Sequence, residues 1–131
     1  MGLHFSKEEF SNRKEKTLKS MKNDGVDALI MFRQESMYWL TGYDTFGYVF
    51  FQALVLDQKG NVILLTRAPD LRQAQNTSNI SDIRIWVDKD GANPADDLKI
   101  ILDELNLKGK KIGVEYEAYG LTGRNALRLN T

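Results

Sequence analysis

Residues 26–32 read Val-Asp-Ala-Leu-Ile-Met-Phe, a nearly continuous apolar run bounded by Gly25 and Arg33. A strand with one wet face alternates apolar and polar residues. This one does not, so it is expected to be covered on both faces. Helices must then lie above and below the sheet that contains it, which points to a layered α/β domain. No apolar run in the chain approaches the roughly 20 residues of a membrane span.

The remaining segments fit that frame. Ser6 followed by Glu9 forms a capping-box pattern, with Phe5 and Phe10 placed as a hydrophobic staple. A helix is expected over 7–23, with Phe10, Thr17, Leu18 and Met21 on one face and Asp24-Gly25 as its stop. A short helix over 34–40 offers Met37, Trp39 and Leu40 for packing and ends at Gly42. Residues 48–56 form the longest strand candidate, and 57–61 a turn by composition. Residues 62–66 return as a second strand, so the two make a hairpin. Pro69 lies near the start of a polar helix over 69–76. Residues 83–87 read as a strand. A helix runs from Asn93 or Pro94 through Leu105, with Leu98, Ile101, Leu102 and Leu105 at helical spacing. A last strand covers 112–116. Thr122 is the expected N-cap of a closing helix, which is cut short at Thr131 and so reads as part of a longer parent or an engineered boundary. Helices and strands alternate around one hairpin, which predicts a mixed sheet with helices on both faces. At 131 residues the chain is one domain and long enough to bury about two-thirds of its unfolded surface.

Charge and cysteine content narrow the function. Lys plus Arg and Asp plus Glu both number 18. That balance argues against nucleic acid or an anionic membrane as a main partner, and it leaves little repulsion against self-association. There is no cysteine, so neither a disulfide framework nor thiolate chemistry is expected. The first residues lack the apolar core of a signal peptide, so a cytoplasmic location is expected.

Few residues carry chemistry of their own. His4 is the only histidine and reads as a solvated tail residue, so no Ser-His-Asp set can form. Asp88-x-Asp90-Gly91 begins like a calcium loop but lacks the later ligands. Asp96-Asp97 and Asp103-Glu104 read as helix-surface charges, the first pair favourable in a helix's first turn. Glu115 and Glu117 share a face of a strand or its exit without a neighbouring base. Gly42 and Gly47 have phosphate-loop spacing, but Tyr48-Val49 replaces the required Lys-Ser/Thr. What stands out is the aromatic, glycine-punctuated stretch from Tyr38 to Phe50. Tyr38, Trp39 and Leu40 read as packing residues. Tyr43, Asp44, Phe46, Tyr48 and Phe50 read as facing a substrate or partner, with packing as the alternative. Arg67, just past the paired strand, is placed to offer the same rim a bidentate guanidinium. No catalytic residue and no metal ligand are assigned in this chain.

The order of these blocks resembles a known family. Asp24-Gly25-Val26-Asp27-Ala28-Leu29-Ile30, Met37-Tyr38-Trp39-Leu40-Thr41-Gly42-Tyr43, Gly60-Asn61-Val62-Ile63-Leu64-Leu65 and Lys111-Ile112-Gly113-Val114-Glu115 look like the N-terminal domain of the creatinase/prolidase superfamily. These are the pita-bread enzymes that include Xaa-Pro dipeptidases and aminopeptidases, creatinase and ectoine hydrolase. Tyr43-Asp44 and Arg67-Ala68-x-Asp70 look most like the ectoine hydrolase and creatinase-like branch. The resemblance implies a three-layer α/β domain with a mixed sheet related to the ribonuclease H-like architecture. It also implies a homodimer in which this domain lends residues to a small-molecule or dipeptide-like substrate pocket. Catalysis would belong to a separate C-terminal domain, either holding a divalent metal or creatinase-like and metal-free. In creatinase-like members an aromatic and an arginine reach substrate from the strand after the glycine block. Tyr48 and Phe50 match those positions, so the arginine is not kept, and Arg67 is its candidate substitute. The competing reading is a stand-alone α/β interaction module with no enzymatic parent.

Overall fold

Ser6 accepts a hydrogen bond from the Glu9 N–H at 3.1 Å and caps helix α1, Lys7–Asn23. The Phe5 and Phe10 rings meet edge to face at 5.9 Å, completing the staple across that cap. The computed structural model describes residues 5–44, 51–87, 89–115, 121, 123 and 127. Strand β1, Ala28–Met31, follows α1, and helix α2, Gln34–Thr41, follows β1. Gly42 ends α2 in the left-handed region, at φ 84°, and donates its N–H to the Tyr38 carbonyl. Then come strands β2, Ala53–Asp57, and β3, Val62–Arg67, a 3-10 turn at Ala68–Asp70, and helix α3, Leu71–Thr77. Strand β4, Asp82–Trp86, helix α4, Pro94–Glu104, and strand β5, Ile112–Val114, complete the order.

The strands form one sheet in the order β4-β3-β2-β1-β5. β2 is antiparallel to both β1 and β3, whereas β3–β4 and β1–β5 are parallel. The expected hairpin is therefore present, closed by Asp57, whose two carboxylate oxygens accept from the Asn61 backbone and side-chain N–H groups. Alternate residues of each strand divide between two cores. Ile30, Ala53, Val55, Ile63 and Leu65 pack with Leu98 and Ile101 of α4. Met31, Leu54, Leu56 and Leu64 pack with Met21 of α1, Met37 and Leu40 of α2 and Ala74 of α3. The sheet is thus covered on both faces, as the run at 26–32 requires. Among the described residues no helix is long and apolar enough to cross a membrane.

Several boundaries differ from expectation. β1 is shorter than 26–32: at one end Asp27 meets Lys111, its N–H donating to the Lys111 carbonyl and its carboxylate accepting from the Lys111 N–H, and at the other the Phe32 N–H turns to the Glu115 side chain. β2 begins at Ala53 rather than within 48–50, which lie outside the described residues. Phe51 and Gln52 precede it as connectors. The Phe51 carbonyl accepts from Trp86 Nε1 at 2.9 Å, and the Gln52 side chain bonds Tyr43. His4, Asp88, Glu117 and the expected cap Thr122 also lie outside the described residues.

The first turn of α4 carries Asp96 and Asp97. Burial, and then the neighbouring Asp96 charge, push the Asp97 carboxyl above its ordinary range. An acid raised in the folded state ionises there at a cost, so its contribution falls as the pH climbs from the unfolded to the folded pKa. Asp97→Asn is therefore expected to melt above the parent at pH 7 and to lose that advantage below the carboxylate range. A variant that melts lower at pH 7 would show that attraction to the helix N-terminus dominates instead.

Candidate functional site

Four strands, β1, β3, β4 and β5, run in one direction, so their C-terminal ends share one edge of the sheet. In open α/β sheets that edge is where ligands bind. The segment from α2 to Asp44, the 3-10 turn after β3 and Glu115 after β5 all meet there.

Glu115 fastens this edge. Its Oε1 accepts from the N–H groups of Phe32 and Arg33, both at 3.0 Å, and its Oε2 accepts from the Ser36 hydroxyl at 2.6 Å. Arg33 is the N-cap residue of α2 and supplies no side-chain cap of its own. The carboxylate thus serves as a cap brought from the far end of the chain, and the positive end of the helix favours its charge. This explains why the strand closing the domain ends in a glutamate.

Tyr43 does not sit on a rim. Its side chain is 0% exposed and packs in the core under α1–α3. Its hydroxyl donates to Gln52 Oε1 at 2.7 Å and lies 3.4 Å from the buried Thr66 hydroxyl. A ring inside the core with its hydroxyl bonded on both sides acts as a spacer between α2 and the sheet. Arg67 is also largely enclosed, with its Nε 3.8 Å from the Asp70 carboxylate across the 3-10 turn. Its guanidinium is engaged with its own turn and does not project as the free fork expected. Asp44 is half-buried at the same edge. Its N–H donates to the Thr77 hydroxyl at 3.0 Å, and its carboxylate makes a long 3.5 Å contact with the Gln34 side chain. The structure therefore gathers Tyr43, Asp44 and Arg67 at one edge but leaves only Asp44 turned partly outward. Phe46, Tyr48 and Phe50 lie outside the described residues.

The outward aromatic surface belongs to the residues read as packing. Trp39 is 43% exposed and Phe5 39% exposed. Met37, Leu40 and Thr41 take the inward stripe of α2, and Trp39, about 200° around the helix from Met37, faces away. That spacing was the signal for its exposure. Arg13 of α1 holds the ring in place. Its guanidinium donates to the Trp39 carbonyl at 2.8 Å, pairs with Glu9 at 3.1 Å and lies 4.3 Å from the Phe5 centroid and 5.4 Å from that of Trp39. A recess of about 440 Å³ opens between Phe5, Tyr38, Trp39, Gln34 and Asp44. It offers aromatic walls, the Asp44 and Glu35 carboxylates and the Arg13 guanidinium, suited to a small polar group. A larger recess, about 650 Å³, lies at the opposite end beside the β2–β3 turn, away from the strand C-termini. Its Arg84 is bracketed by Asp82 and Glu104, which raise the guanidinium pKa further.

A divalent metal does not fit the donors described. Among the described residues no three His, Cys, Asp or Glu side chains come together. No step of chemistry is therefore assigned to a metal at the described residues.

The comparisons agree with the fold. The model of the family described as "Creatinase/Prolidase N-terminal domain" matches residues 13–130. An uncharacterized hydrolase/peptidase of Sinorhizobium fredii is 29% identical over 97% of this chain and 34% of its own length. The ectoine hydrolase of Halomonas elongata is 30% identical over 69% of this chain and 21% of its own length. The chain therefore spans about a third or less of these curated relatives. The N-terminal domain of a Lactobacillus brevis Xaa-Pro dipeptidase superposes with a TM-score of 0.74 at 13% identity, over 89% of this chain and 84% of that one.

Proposed function

Because this chain belongs to the creatinase/prolidase N-terminal domain family, we propose that it is the accessory, non-catalytic domain of a cytoplasmic C–N hydrolase of the Xaa-Pro dipeptidase, creatinase or ectoine hydrolase type. One observation carries this reading: the match covers nearly the whole chain, while the curated relatives are about three times longer or more. The domain's task is to shape specificity and to join two subunits, with catalysis and any divalent metal in a separate domain. The segment from Asp44 to Phe50 supplies the substrate-side contacts, while Arg67 and Asp70 brace the 3-10 turn after β3 and Tyr43 anchors the exit of α2 in the core. The partly outward carboxylate of Asp44 suits a cationic or hydrogen-bond-donating group on a small substrate.

The reading is tested by assaying the purified chain against Xaa-Pro dipeptides and ectoine-like amides, with and without added Mn²⁺, Zn²⁺ or Co²⁺. No turnover above the no-protein control is expected. Metal-dependent turnover by residues 1–131 alone would place a complete catalytic set in this chain and overturn the accessory role.

A further inference from the structure

Where the chain leaves α2, three successive N–H groups each have a fixed acceptor. Gly42 donates to the Tyr38 carbonyl, Tyr43 to the Thr41 hydroxyl at 3.2 Å and Asp44 to the Thr77 hydroxyl at 3.0 Å. Thr77 is buried at the end of α3, and its own proton goes to the Gln73 carbonyl at 2.8 Å. A hydroxyl has one proton to give, so Thr77 meets Asp44 as an acceptor only. The Tyr43 side chain is constrained in the same way. Its proton goes to Gln52, so the Thr66 hydroxyl is left to donate across the 3.4 Å contact. Gln52 precedes Ala53, which pairs with Leu65, so Gln52 lies beside Thr66 on the face of the sheet that carries Leu54 and Leu64. Gln52, Thr66 and Thr77 are all buried. Apolar side chains would fill these sites without the desolvation that a buried amide or hydroxyl costs. Hydrogen bonds add direction, which apolar packing lacks. The residue that this direction fixes is Asp44, which lines the recess beside Trp39.

We propose that Gln52 and Thr77 are positioning residues for Asp44: Thr77 holds its backbone directly, and Gln52 holds it through the Tyr43 ring. The inference deepens the accessory-domain reading and rests on it for the substrate role of Asp44. A side chain that selects a substrate group has to be held within about 0.5 Å of its productive place by its supporting residues. The 3.5 Å contact with Gln34 is too long to do this for the Asp44 carboxylate. Orientation is therefore set through the backbone, by groups that α3 and β2 bring to either side of the exit from α2. Neither Gln52 nor Thr77 touches the substrate in this arrangement.

Two measurements test it. The first is amide hydrogen exchange of the 131-residue chain followed by NMR. Thr77→Val removes the acceptor, and Gln52→Met keeps the volume of the side chain but removes the Tyr43 contact. The Asp44 amide is expected to exchange about tenfold faster in Thr77→Val and about threefold faster in Gln52→Met. Gly60, whose N–H donates to the Asp57 carbonyl at the opposite end of the sheet, should keep its parental rate. Parental exchange at Asp44 in Gln52→Met, or an equal rise at Gly60, would overturn the proposal. The second is a double-mutant cycle on kcat/KM in the full-length gene product, with Xaa-Pro dipeptides and ectoine-like amides as probes. Thr77→Val and Gln52→Met are each expected to lower kcat/KM about 5-fold, and by less than about 2-fold when Asp44→Asn is already present. Thr77→Ser, which keeps the hydroxyl, should restore the parental value. Losses that add to that of Asp44→Asn would mean a general structural role and overturn the positioning. A slowed Asp44→Asn beside parental Thr77→Val and Gln52→Met would overturn the positioning alone, whereas parental kinetics in Asp44→Asn would remove the substrate role on which it rests.

Discussion

Glu115→Ala is expected to lower the stability of this domain by about 2–4 kcal/mol, a fall in Tm on the order of 10 °C. The carboxylate accepts three hydrogen bonds at once, from Phe32 N–H, Arg33 N–H and Ser36 Oγ. Two of these donors lie at the start of α2, where no other side-chain cap exists. Removing the acceptor leaves partly enclosed N–H groups without a partner, and that desolvation cost exceeds the modest net gain of an ordinary hydrogen bond. Glu115→Gln keeps one acceptor oxygen but loses the charge at the positive end of the helix, so roughly half the loss is expected. Ser36→Ala should cost only about 1 kcal/mol. Thermal melts followed by circular dichroism would rank the three. Equal small effects in all of them would mean that α2 holds its place by packing alone.

Tyr43→Ala is expected to cost about 3–5 kcal/mol, because it empties a fully buried ring site between α2 and the sheet. Tyr43→Phe keeps the ring and removes the hydroxyl that bonds Gln52 and approaches Thr66. Its expected cost is about 1–2 kcal/mol, since two buried polar side chains lose a shared partner. The pair of variants separates a core residue from a rim residue. A rim tyrosine would leave the unfolding midpoint in denaturant almost unchanged on truncation to alanine, and that outcome would return Tyr43 to the surface. Trp39→Ala serves as the reverse control, with a small stability effect despite the larger ring.

The parts of the fold that follow from local chemistry were legible in the chain. Ser6 caps α1 as its type requires, whereas the Glu9 carboxylate, expected to complete a capping box, pairs with Arg13 instead. Gly42 ends α2 because it alone of its neighbours takes a left-handed φ without strain. β1, β2 and β3 announced themselves by apolar runs, β4 by a weak alternation, and the Asp57–Asn61 turn by its residues. What escaped was set by contacts between distant segments. The Glu115 cap joins residues about eighty positions apart, and no spacing rule reaches that far. The burial of Tyr43 depends on Gln52 and Thr66, which β2 and β3 bring to it from elsewhere. Arg67 looked available until the turn folded Asp70 back beside it. The positions of Trp39 and Tyr43 were exchanged for a physical reason. In a helix as short as α2 a few residues decide the inward stripe, and Met37, Leu40 and Thr41 claim it, sending Trp39 outward. The chain then turns at Gly42 and carries Tyr43 into the core.

The central claim is that this domain shapes a substrate pocket whose chemistry is done elsewhere. It is tested most directly by steady-state kinetics and metal analysis of the full-length gene product carrying Asp44→Asn, Tyr48→Ala or Phe50→Ala. The account predicts kcat/KM lowered by about 5-fold or more in at least one variant, as expected for the loss of about 1 kcal/mol of substrate contact. Metal content and Tm should match the parent. Parental kinetics in all three variants would contradict it.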